Sequence, residues 1–145
     1  MPDPYVGGLF RSSPYAALRE ITGTVVAVLD ARLAGRGLNL IAPISRCLLR
    51  DEIHELILTT GAVGPGDRVE DVHYLAFFEV SQGGVAVVGQ TVRIAGYEVG
   101  RIAGFDETHM PNHMNVVLSG PRGVTGGELG LQPGDPVIIS GRLGA

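Results

Sequence analysis

The chain has 145 residues, 45% of them hydrophobic, and a formal charge of −4, which suits one domain with a real core and lies well outside the disordered class. Its eleven cationic side chains are all arginines, because the sequence contains no lysine, so Schiff-base, pyridoxal-phosphate-anchoring and P-loop lysines are excluded. The single cysteine, Cys47, excludes an internal disulfide framework and Cys-rich zinc sites, and no apolar run reaches the roughly 20 residues of a membrane helix.

Residues 1–20 form a turn-rich lead-in, punctuated by Pro2, Pro4, Gly7-Gly8 and Ser12-Ser13-Pro14, with one helical turn expected over 15–20. Met1-Pro2-Asp3-Pro4-Tyr5 has neither the basic nor the apolar region of a signal peptide. The expectation is a cytoplasmic protein in which this lead-in wraps a single domain spanning 21–145.

From there β signals dominate. Strands are expected over 22–29, 36–41, 68–80, 85–88, 90–94, 98–103, 114–118 and 136–140. Gly83-Gly84, Ala95-Gly96 and the glycine-rich 120–127 stretch separate them. Many short strands with glycine-rich turns predict a mainly β fold, a small closed or partly closed barrel. One helix is expected over about 51–60. Leu48, Leu49, Ile53, Leu56 and Ile57 recur at three- and four-residue steps, and Gly61 suits the helix end. The β-branched Ile57, Thr59 and Thr60 keep a strand over 55–59 open. Cys47, beside Leu48 and Leu49, is expected to be a buried structural thiol, and 120–127 a mobile surface lid.

Pro65-Gly66-Asp67-Arg68-Val69 recurs as Pro133-Gly134-Asp135-Pro136-Val137. Proline presets φ, glycine accepts a positive φ, and aspartate bonds back to the backbone, so each copy is a turn that opens a strand. The repeat is compatible with a pseudo-twofold barrel and equally with simple reuse of one turn. The run 129–139, Leu-Gly-Leu-Gln-Pro-Gly-Asp-Pro-Val-Ile-Ile, resembles the ending of small swapped-hairpin and cradle-loop barrels. Met114-Asn115-Val116-Val117-Leu118 is similar to a strand of the CTP-dependent riboflavin kinases within that group. The resemblance covers under a fifth of the chain and implies a barrel. His113 stands where those kinases carry a threonine, and their glycine loop has no counterpart near 22–29, so no kinase activity is carried over.

The chemistry is concentrated in 104–115, Gly-Phe-Asp-Glu-Thr-His-Met-Pro-Asn-His-Met-Asn. His109 and His113 are four apart, a spacing that would put both on one face of a helix for one metal, but Pro111 disfavours a helix there. In a turn, Asp106 or Glu107 could orient either imidazole for acid–base work while Asn112 and Asn115 donate to a developing negative charge. On the strand expected over 68–80, His73 and Asp71 would share a face, and Tyr74 and Arg101 are further candidates for substrate contact. The expected catalytic set is His109, His113, Asp106, Glu107, Asn115 and His73, with Asn112, Asp71, Arg101 and Tyr74 binding substrate. The expected function is a cyclase, isomerase or lyase acting on a small molecule without a cofactor. Two alternatives stay open: a divalent metal held by His109, His113 and His73, and a non-catalytic binding module in which these polar residues only cap turns. His54, between acidic residues on the expected helix, is read as a solvated surface residue. The arginines are scattered and tryptophan is absent, so neither nucleic acid nor membrane is expected as a partner. Open strand edges make a homodimer compatible with the pattern.

Overall fold

The computed structural model describes residues 18–143. The lead-in lies outside them apart from residues 18–20, which carry no helix. Eleven strands follow: β1 (Ile21–Leu33), β2 (Leu38–Asn39), β3 (Ser45–Leu48), β4 (Ile53–Thr59), β5 (Arg68–Val69), β6 (Val72–Gln82), β7 (Gly84–Val87), β8 (Gln90–Ile94), β9 (Tyr97–Asp106), β10 (Asn115–Ser119) and β11 (Pro136–Leu143). Seven close into a barrel in the order β1-β11-β8-β9-β10-β4-β6. Every pairing around it is antiparallel except β4 with β10. Closure leaves these seven strands no free edge. Two ribbons, β2-β5 and β3-β7, complete the fold.

The strands lie where expected except that the long one over 68–80 divides into β5 and β6, and the expected helix is absent: β4 occupies its residues, the alternative kept open over 55–59, with no helix among those described. The reason lies on both sides of β4. Leu56 and Leu58 point into the barrel with Val116 and Leu118 of β10. Ile57 points outwards, where a second cluster of Leu38, Leu40, Val69, Val72, Ala103 and Val117 covers it. A strand buried on both faces has no polar side, so it reads as a continuous apolar run whose spacing also fits a helix.

The repeated Pro-Gly-Asp motif makes the same turn twice. The amide of Asp67 donates to Gly64 O and that of Asp135 to Gln132 O, with positive φ at Gly66 and Gly134 (85° and 97°), which is the type II shape. Each aspartate carboxylate caps the turn, at 2.8 Å from the amide of Gly64 or Gln132. Each turn also docks by two backbone bonds on one partner residue, Leu40 for the first and Val25 for the second. Beyond these turns the halves diverge. The first copy opens β5, outside the barrel, and the second opens β11, within it.

Two further expectations are corrected. Cys47 is exposed on β3 rather than buried, since its neighbour Leu48 takes the inward position. The second half of the 120–127 loop is not a lid but is stitched to the barrel. Gly126 and Gly127 donate to the carbonyls of Tyr74 and Leu29, and the buried Thr125 hydroxyl donates to Asp30.

Candidate functional site

The site begins where β4 enters the barrel. The turn before it, Arg50-Asp51-Glu52, places Asp51 at φ 74°, and the Glu52 carboxylate accepts the Leu49 amide at 2.8 Å. Alternation along β4 then sends His54 towards the barrel interior and Glu55 to the outer face. Both are buried, at 5% and 7% exposure. Opposite them runs the β9–β10 connection, wound tightly by the amides of Met110, Asn112 and His113 donating to Glu107 and His109 carbonyls, with a cis Met110–Pro111 bond. Two bonds fasten the connection to β4: the Glu55 amide donates to Met114 O at 3.0 Å, and the Met114 amide donates to Nδ1 of His54 at 3.1 Å.

That second bond sets the His54 tautomer. Nδ1 must offer its lone pair to the Met114 amide, so the proton sits on Nε2, 3.1 Å from Glu52 Oε1. Partial burial pushes the Glu52 carboxyl up, but the Leu49 amide, the His54 contact and the charge of Arg46 together hold it below the ordinary carboxylate value.

His113 is the other imidazole of the site. Its ring meets the edge of Phe77 at 5.0 Å and lies 5.0 Å from the ring of His109. Nδ1 pairs with the Asn112 amide at 3.1 Å. Nε2 is buried without a hydrogen-bond partner and faces Glu55 Oε1 at 3.6 Å, too long for a bond but close enough for a small shift to make one. Burial, reinforced by His109 and His54, pushes the His113 imidazole down. Burial pushes the Glu55 carboxyl up, opposed by the Arg36 guanidinium. Both shifts favour the neutral forms, a protonated Glu55 beside a neutral His113.

Between the 51–54 turn and 110–113 lies a cleft of about 340 Å³ lined by Asp51, Glu52, Ile53, His54, Met110, Pro111, Asn112 and His113. It falls at the small end of the range for sites that hold small molecules. His113 thus faces the cleft and touches the buried Glu55.

The expected site residues divide. His113 and Asn112 line the cleft, and His109, exposed, stacks beside His113. Asp106 and Asn115 are buried in a structural network instead. In register, Phe77, Glu55, Asn115 and Asp106 form one row across β6, β4, β10 and β9. Asp106 there accepts from Asn115 Nδ2, from the Thr108 amide and from the Asn39 amide, each at 3.0 Å. Its acceptors are spent on the fold. Glu107 is exposed and ion-paired with Arg46.

His73 does not join the others. It pairs in register with Leu58, three residues along β4 from Glu55 and about 10 Å away at strand rise. Nδ1 lies 3.3 Å from Leu58 O, and the ring packs against Gly123 with no room for a Cβ there. Asp71 borders a separate cleft beside Thr59, Gly61 and Arg68. Tyr74 accepts a hydrogen bond from Arg36 Nε at 3.2 Å, and Arg101 is exposed on β9 opposite Ser119. The set His109, His113 and His73 is therefore not brought together. Among the described residues no group of three or more His, Cys, Asp or Glu side chains is placed to hold a metal ion.

Three residues of the site were not expected: Glu52, His54 and Glu55. On a strand, the signal is a carboxylate inside an otherwise aliphatic run, Ile53-His54-Glu55-Leu56-Ile57-Leu58.

A family model, DUF6917, described as a family of unknown function, matches residues 15–140. No curated protein and no solved structure matches the chain.

Proposed function

The chain belongs to the DUF6917 family, and we propose that it is a small-molecule enzyme of cyclase, isomerase or lyase type that moves a proton in the cleft through His113. The observation that carries this reading is the buried, unpartnered His113 Nε2, 3.6 Å from the buried carboxyl of Glu55. A fully paired histidine would be a structural one. Here Asn112 Nδ2 donates to Nδ1, so the neutral ring carries its proton on Nε2, buried against Glu55 with no hydrogen bond made.

In this reading Nδ1, released by a turn of Asn112, exchanges a proton with the substrate, and Glu55 supplies or takes up the matching proton at the buried Nε2. That is the orienting role expected from Asp106 or Glu107. His54, its tautomer set by Met114 and Glu52, places a second imidazole on the facing wall. Asn112 holds the His113 ring, and His109 adjusts it by charge, so both act as positioning residues. The arrangement needs no cofactor for a proton transfer beside a carbonyl or an imine.

The test is solvent exchange. A panel of small carbonyl compounds and amino ketones is incubated with the protein in D2O and followed by NMR. Deuterium enters at a carbon next to the carbonyl of at least one compound, and His113→Gln slows it by roughly 10²–10⁴-fold, the usual contribution of a general acid or base. Equal exchange by the wild type and His113→Gln would overturn the assignment.

A further inference from the structure

The cleft wall carries an unbalanced charge that the proton-transfer reading does not use. Two of its eight lining residues, Asp51 and Glu52, are carboxylates, and none is an arginine. In a chain without lysine, arginine is the strong cation available for holding a phosphate or carboxylate. The arginines nearby are engaged with acidic partners. Arg46 is paired with Glu107, and Arg50 approaches Asp51 at 3.9 Å with both side chains at least 80% exposed, a pairing that water screens heavily. Among the described residues the bonds of the Glu52 carboxylate fall on Oε1, which leaves Oε2 for a ligand. Ile53 beside them, and Met110 and Pro111 across the cleft, supply apolar wall, with Ile53 and Met110 each about 40% exposed.

Resting on the proton-transfer reading of this cleft, we propose that its substrate is a small amine: an apolar body against Ile53, Met110 and Pro111 with a protonated nitrogen beside Glu52 and Asp51. An anionic substrate would meet two like charges and no arginine in the cleft lining. A substrate carrying a cation gains the carboxylates and brings its reacting carbon towards His113, on the opposite wall.

Three probes of one size separate charge from shape: benzylamine, benzyl alcohol and benzoate, titrated into the full-length protein at low ionic strength. Calorimetry gives the affinities, and NMR shifts of the His54 and His113 rings locate the binding. The expected result is that benzylamine binds about tenfold or more tightly than benzoate, with benzyl alcohol between them, a ratio set by the partly exposed carboxylates. Asp51→Asn, at an exposed position, and Glu52→Gln, which keeps an acceptor for the Leu49 amide, should each shrink that ratio and together abolish it. Benzoate binding as well as benzylamine, or a ratio unchanged in both variants, would overturn the proposal while leaving the proton-transfer role of His113 standing. Failure of all three probes to shift the His113 ring would remove both.

Discussion

Replacing Asp106 separates structure from catalysis most sharply. Its carboxylate is 2% exposed and accepts three hydrogen bonds, two on Oδ1 and one on Oδ2. Asp106→Ala leaves three donors without their acceptor, and their losses differ. The Asn115 amide is buried and can turn to no water, so it bears the full penalty of an unmet donor, about 2 kcal/mol. The Asn39 amide is partly buried and loses about 1 kcal/mol, and the exposed Thr108 amide finds water and loses less. The sum is on the order of 3–4 kcal/mol. Asp106→Asn restores one acceptor oxygen but turns an N–H2 towards a donor, so it recovers about half. Urea unfolding monitored by circular dichroism reads both, as a lower midpoint at unchanged slope. A loss under about 1 kcal/mol in Asp106→Ala, together with lost turnover in a folded protein, would refute the structural role and return Asp106 to the chemistry.

Glu55 gives a stability signature with a definite sign. Its carboxyl is raised above the ordinary value of 4.5 by burial, so its contribution to stability is fully present below that value and is lost as pH rises through the folded-state value. Glu55→Gln has no such loss. Its stability relative to wild type should therefore grow with pH above 4.5, at up to about 1.4 kcal/mol per pH unit, and then level off; urea midpoints from pH 4 to 8 check this, and a difference independent of pH would contradict the buried carboxyl. Gly126→Ala should cost about 3 kcal/mol, because a Cβ there would lie 1.9 Å from Leu75 O and 2.7 Å from Leu29 O, in a loop already held by its amide bonds. Gly64→Ala meets nothing within 4 Å and serves as the control; equal melting of the two variants would show that the loop gives way.

The barrel was legible because its signals are local. Alternation, glycine-rich turns and the Pro-Gly-Asp motif each act over a few residues, and both copies of that motif fold into the same capped turn. What the motif could not convey is where its strand goes. β5 leaves the barrel to cover β4, whereas β11 enters it, and that choice depends on pairings far apart in sequence. The missed strand has the same origin. β4 is covered on its outer face by Leu38, Leu40 and Val69, so the polar alternation that would identify a half-buried strand is erased.

The site followed from that error. Read as a helix, residues 51–60 put His54 and Glu55 among exposed charges, and the orienting carboxylate was sought in the nearest sequence neighbours of His113. Read as a strand, Glu55 becomes a carboxylate set between Phe77 and Asn115 on a covered face, a position whose burial demands a partner. That partner is His113, 58 positions away in sequence and one loop away in space. The 104–115 segment thus announced the histidine that lines the cleft, because clustered polar residues in a turn are visible locally. The carboxylate it offered, Asp106, is close in sequence, but its three donors are the strands and turn that it holds together. Proximity along the chain finds the residues that build a turn, and the residues that act on a ligand come from whichever strand the barrel lays beside it.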